Sequence, residues 1–80
     1  MNTSTVKSAR SLVKNVRFDK SDLIVFLSDG REIRAPLEWF PTLRDATESQ
    51  RKKWRLIGGG VGIHWTDLDE DISVAGLLEP

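Results

Sequence analysis

No cysteine occurs in this chain of 80 residues, which excludes disulfide crosslinks, thiolate zinc sites and thiol redox chemistry together. That composition suits a reducing compartment, and a cytoplasmic location is expected. Histidine occurs once, at His64, so no group of histidines can gather a metal ion. Long apolar runs are also missing. The longest, Leu23-Ile-Val-Phe-Leu27, falls far short of a membrane span. The first residues include Lys and Arg but no apolar stretch behind them, so no secretory signal is expected.

What remains is ordinary for a small globular protein, with 39% apolar and 30% charged residues. A chain this short buries only about 60% of its unfolded surface, so each large side chain counts. The net charge of zero conceals a split. All twelve Lys and Arg fall in residues 1–55, against seven acids, while residues 56–80 hold five acids and no Lys or Arg. In so small a domain the simplest consequence is that the two halves neutralise each other.

Residues 1–11 are rich in Ser, Thr, Lys and Asn without periodicity and read as a flexible leader. A single domain is expected over 12–80. Residues 12–18 place apolar groups at 12, 13, 16 and 18, a strand pattern with a slip at Lys14. Residues 23–27 form the strongest strand candidate. Asp29-Gly30 joins it to the alternating 31–35, predicting an antiparallel hairpin of 23–28 with 31–36. Pro36 cannot donate to a ladder and should close that strand.

Pro41 suits the first position of a short helical turn over 41–46. Thr47-Glu-Ser-Gln50 spells a capping box, which predicts a longer helix over about 48–55. On that helix Gln50, Trp54 and Ile57 share one face, and Arg51, Lys52 and Arg55 lie away from it. The glycines at 58–60 would end it. Val61-Gly-Ile-His-Trp65 alternates as a strand, and its interior Gly62 predicts a bulge or a backbone passing close. An acidic loop over 67–71 follows, then a short helix over 74–78 capped by Ser73. The expected fold is α+β, a small antiparallel sheet of three to four strands with a helix packed on one face and a short C-terminal helix.

Several phrases also occur here in a recognisable order. Asp-Gly-Arg at 29–31 is followed by Pro-Leu-Glu-Trp-Phe-Pro at 36–41 and Ala-Thr-Glu-Ser-Gln-Arg at 46–51. Then come Gly-Gly-Gly-Val-Gly-Ile-His-Trp at 58–65, Asp-Leu-Asp-Glu-Asp-Ile-Ser-Val at 67–74 and Gly-Leu-Leu at 76–78. Over residues 12–80 this resembles the bacterial and phage family known as domain of unknown function 2442. The resemblance implies a small α+β domain with an antiparallel sheet. In some relatives a second small protein is encoded alongside, in a toxin–antitoxin-like arrangement. No catalytic residue carries over from it.

Four candidate chemistries can be weighed from the residues themselves. Asp67, Asp69 and Asp71 imitate the start of a calcium loop, but Ile72 and Leu78 stand where that loop requires Gly and a bidentate Glu. His64 with Asp67 or Asp69 would suit acid–base work, yet no nucleophile motif accompanies them. The glycines follow a helix instead of preceding one, the reverse of a phosphate-binding loop. Arg44, Arg51, Lys52 and Arg55 offer a thin basic face for nucleic acid, a less favoured partner.

Large aromatics in a connecting segment, Trp39 and Phe40, suit a lid over one end of the sheet in so small a domain. Yet Trp39 and Trp65 are not both expected to be fully buried, and this is the most realistic place for a functional surface. The leading expectation is a non-enzymatic protein-interaction module, without cofactor or metal. An aromatic patch of Trp39, Phe40 and Trp65, with His64, Asp67, Asp69 and Asp71 beside it, would dock a partner protein. That partner would be co-encoded and toxin-like, or the protein would be an accessory of a mobile element. The alternatives are a nucleic-acid-linked regulator using the basic face and, last, a small hydrolase centred on His64. A homodimer through a free sheet edge is a further expectation.

Overall fold

The apolar run at 23–27 becomes the middle strand of a three-stranded antiparallel sheet, where residues on both of its faces are covered. Residues 11–78 are described by the structure, a computed structural model. In sheet one, β2 (Asp22–Leu27) lies between β1 (Val13–Phe18) and β3 (Glu32–Pro36). Register pairs Val16, Val25 and Ile33 across one face, and Phe18, Leu23 and Ala35 beside them. That face is the inner one, with Leu23 and Val25 fully buried. On the outer face Ile24 sits in register between Arg17 and Arg34, whose long stems can shield it.

The slip at Lys14 appears as a register shift between Val13 and Asn15, a bulge that resumes the alternation. Gly30 takes a φ of 94° in the turn between β2 and β3, a value that favours glycine. Ser11, assigned to the leader, is instead tied to this turn. Its hydroxyl donates to Asp29 Oδ2 at 2.7 Å and accepts from Arg31 Nη2 at 2.6 Å. The remainder of the leader, residues 1–10, lies outside the described residues.

After β3 a single 3-10 turn, Leu37–Trp39, leads into α1 (Pro41–Arg44), with Pro41 in its first turn. The capping box forms as expected. Gln50 N–H donates to Thr47 Oγ1 at 3.1 Å and Thr47 N–H donates to Gln50 Oε1 at 2.9 Å. The helix it starts, α2 (Glu48–Lys52), is shorter than the 48–55 expected, and none of its residues is buried.

Residues 54–57 form a strand instead, β4 (Trp54–Ile57). Four residues with aromatic and β-branched side chains can fit either period, and here pairing with the next strand decides. The glycines therefore connect two strands and not a helix to a strand. Gly58, Gly59 and Gly60 all take positive φ in a tight hairpin joining β4 to β5 (Gly62–Trp65). A sixth strand, β6 (Glu70–Ser73), occupies part of the expected acidic loop and completes sheet two in the order β4-β5-β6. The chain is α+β, with two three-stranded sheets where one sheet of three to four strands was expected.

The sheets meet through the glycine turn and through side chains. Val13 N–H donates to Gly60 C=O at 2.8 Å, and a Cβ on Gly60 would approach Leu12 Cβ and the Val13 carbonyl oxygen to 3.0 Å. At Gly62 the close neighbour is the Ile72 carbonyl oxygen, 3.1 Å from where a Cβ would sit. Ile63, Trp65 and Ile72 of sheet two join Val16, Leu23, Val25, Leu37 and Leu43 in one apolar cluster. The Trp65 ring meets Phe18 edge to face at 6.2 Å. Finally α3 (Val74–Leu78) begins at Ser73, whose Oγ accepts from Gly76 N–H at 2.9 Å, as a cap should.

Candidate functional site

The residues proposed as a docking patch do not come to one surface. Trp65 is 0% exposed, and its indole N–H donates to the Arg51 carbonyl at 3.0 Å. Alternation along β5 accounts for this, because Trp65 shares a side with Ile63, the side turned to the core. Trp65 is therefore a core residue, and its assignment to the patch is corrected. Phe40 is half-buried and packs against the same cluster.

Trp39 is different: it is 68% exposed. Its turn is held on both sides, by Leu37 at 3% exposure before it and by Leu43, fully buried, after it. Phe40 N–H donates back to the Leu37 carbonyl at 2.9 Å, closing the turn. Pro36 and Pro41 bracket the segment with fixed φ. The indole is thus displayed from a backbone with little freedom to withdraw it.

The other side of sheet two carries a polar row. Arg55, His64 and Asp71 are in register across β4, β5 and β6. His64 Nδ1 is hydrogen-bonded to an Asp71 carboxylate oxygen. The imidazole is mostly covered, at 19% side-chain exposure, but Asp71 is 68% exposed. Neither residue lines the groove beside Phe18 or the one beside Val61 and Val74. A histidine held by a carboxylate is one element of acid–base machinery, but the polar row of Arg55, His64 and Asp71 sets no nucleophile beside it.

The three aspartates diverge. Asp67 takes Lys53 Nζ at 3.2 Å, and Asp69 closes a 3-10 turn (Thr66–Leu68) in the left-handed region, at φ 52°. Asp71 turns to His64. Among the described residues no three His, Asp or Glu side chains converge as ligands for a metal.

The four basic residues are likewise dispersed. Arg44 pairs with Asp45 at 3.0 Å, and the guanidinium beside it holds the Asp45 carboxyl below its ordinary pKa. Arg51 turns inward: its Nε and Nη2 donate to the Leu43 and Arg44 carbonyls at 2.9 and 2.8 Å, satisfying the end of α1. Its guanidinium also lies 5.2 Å above the Phe18 ring. Lys52 is exposed at the end of α2, and Arg55 stands on β4. The expected helical face does not exist, because the helix ends before Arg55.

Sequence reading passed over two further surfaces. Leu56 and Ile57 are 39% and 40% exposed on β4, an edge strand. A groove of about 540 Å³ runs between β1 and α2, with Phe18 and Trp54 in its lining. The signal for the first was present, since a Gly-Gly pair between two strand-like runs is a hairpin pattern. The second depends on how α2 is placed, which local pattern does not encode.

Comparison with known proteins adds the lineage. A crystal structure of a protein of unknown function from Rhodospirillum rubrum is similar to this chain with a TM-score of 0.73 and 29% identity, covering 88% of this chain and 87% of that one. A solution structure of an uncharacterised protein from Chromobacterium violaceum is similar with a TM-score of 0.73 and 22% identity, covering 92% and 70%. At that identity the second likeness is one of fold. No curated protein matches the chain. Among the described residues no helix is long and apolar enough to cross a membrane. A family model matches residues 13–80, and on that match the chain belongs to the family described as protein of unknown function DUF2442.

Proposed function

We propose that this protein is a non-enzymatic protein-interaction module, acting in the cytoplasm and binding a small co-encoded partner as the antitoxin-like member of a pair. The observation that carries the reading is Trp39. An indole left 68% exposed on a braced turn sacrifices burial that a small domain needs, and such displayed tryptophans are characteristic of interface anchors. Leu56 and Ile57 on the open edge of β4 supply additional apolar surface. The acids Asp67, Asp69 and Asp71 then steer a basic partner, affecting the rate of encounter more than the final affinity. Occlusion of the partner's surface is the mechanism, and no bond is made or broken.

The test is co-purification with the product of the adjoining gene. Trp39→Ala is expected to lose the partner while its unfolding curve stays cooperative, because an exposed side chain adds little to the fold. His64→Ala is expected to retain it. Retention by Trp39→Ala together with loss by His64→Ala would overturn the reading.

A further inference from the structure

The groove between β1 and α2 has a feature that the interaction reading leaves unused. β1 is an edge strand of sheet one, and its hydrogen bonding is out of balance. Alternate residues of an antiparallel strand direct their backbone groups to opposite sides. Asp19 N–H donates to the Asp22 carbonyl at 3.1 Å, which places Arg17 and Asn15, in step with it, toward β2. Val16 and Phe18 therefore turn their N–H and C=O groups away from β2. The Val16 N–H is taken up by the Asn15 side chain at 2.9 Å. Phe18 has no such cover among the described residues, and it lines the groove.

The rest of the lining is apolar below and mainly basic above. Val16, Phe18 and Trp54 give the floor, Arg17, Lys20 and Lys52 stand on the rim, and Arg51, over the Phe18 ring, with the acids Asp19 and Glu48 completes it. No carboxylate bridges Arg17, Lys20 or Lys52 among the described residues. Of the two acids in the lining, Asp19 is already engaged by Arg34 at 2.9 Å, and Glu48 stands in the first turn of α2. An open strand edge beside an apolar floor and a basic rim is complementary to an extended peptide that alternates apolar and acidic residues.

We propose that this groove takes an acidic, extended segment of a partner protein, which adds to β1 as a fourth strand of sheet one. Apolar side chains of the segment would cover Phe18 and Trp54, and its carboxylates would meet Arg17, Lys20 and Lys52. Strand addition derives affinity from backbone pairing and selectivity from alternate side chains. A nucleic acid would use the same cations but would leave the strand edge unpaired. The inference rests on the interaction-module reading but concerns a different surface from Trp39, so the two can fail separately.

The experiment is fluorescence anisotropy of a labelled peptide of alternating valine and glutamate, titrated with the full chain. Saturable binding that weakens with added salt is expected. N-methylation of either all valines or all glutamates should abolish binding in one of the two peptides, the one whose pairing amides are blocked. Exchanging glutamate for lysine should also abolish it. Lys20→Glu combined with Lys52→Glu, both at exposed sites, should weaken binding by about tenfold. No saturable binding, equal binding by both methylated peptides, or tighter binding of a duplex oligonucleotide would each overturn the proposal. If the peptide fails while Trp39-dependent capture of the co-encoded partner persists, only the groove assignment falls.

Discussion

Sheet one buries Leu23, Ile24, Val25 and Leu27 along a single strand, whereas sheet two relies on Ile63 and Trp65 of β5 with Ile72 of β6. Their edges differ in the same direction. The outer edge β3 carries Glu32, Arg34 and Pro36, the charges and proline that discourage further pairing. The outer edge β4 carries Leu56 and Ile57, both exposed, with Arg55 between Trp54 and Leu56. Sheet one is a scaffold with one protected edge, and sheet two is a smaller layer docked on it chiefly through Trp65. The larger share of the buried core thus belongs to sheet one, and the exposed apolar edge to sheet two.

Trp65→Ala is the severest way to break this division. Removing a fully buried indole and leaving the Arg51 carbonyl without its donor should cost about 3–5 kcal/mol, read by urea unfolding. Destabilisation below about 1 kcal/mol would mean that sheet two does not depend on this anchor. Gly60→Ala comes next, because φ is 119° there and the new Cβ would crowd Val13 of sheet one. It should cost about 2 kcal/mol, while Gly59→Ala, left-handed but facing open space, should cost about 1 kcal/mol. Equal costs would show that the contact between sheets at Gly60 contributes nothing.

Thr47→Ala tests the connection between the sheets. Loss of the cap should lower stability by about 1 kcal/mol in the same measurement, with Thr47→Ser close to neutral. The smallest effect is that of acid on sheet one. Asp19 is held below its ordinary pKa of 3.8 first by the backbone N–H groups of Ser21 and Asp22 and then by Arg34. Asp29 is lowered chiefly by the Ser11 hydroxyl and the Arg31 N–H. A depressed folded pKa gives stability that is present above 3.8 and is lost as pH falls through the folded value. Stability should decline modestly below that pH, and Asp19→Asn should flatten the decline. Both carboxylates are exposed, so screening by salt keeps the effect small.

Sheet one was legible in the sequence because each of its signals is local. The Asp29-Gly30 turn and the slip at Lys14 specify geometry within a few residues, as does the capping box at Thr47 in the connection that follows. Sheet two was harder for a physical reason. Trp54 and Ile57 repeat at a spacing that also suits a helix, and the choice depends on pairing with residues 62–65 across the glycine turn. β6 offers one buried side chain, Ile72, among acids, so its pattern reads as a loop. The candidate site divides similarly. Trp39 stood out beside Pro41, but the residues alone suited a lid over the sheet as well as an exposed anchor, and Trp65 was not recognised as buried, although its alternation with Ile63 carried the information. The groove beside Phe18 brings together residues 16–20 and 48–54, a meeting that no local pattern specifies.

The most direct measurement uses the three indole N–H signals of the isotopically labelled protein, followed by NMR as the co-encoded partner is added. The account predicts that the Trp39 signal moves or broadens while the Trp65 signal, bonded within the core to Arg51, stays in place. An unmoved Trp39 signal with large shifts at His64 and Asp71 would contradict it.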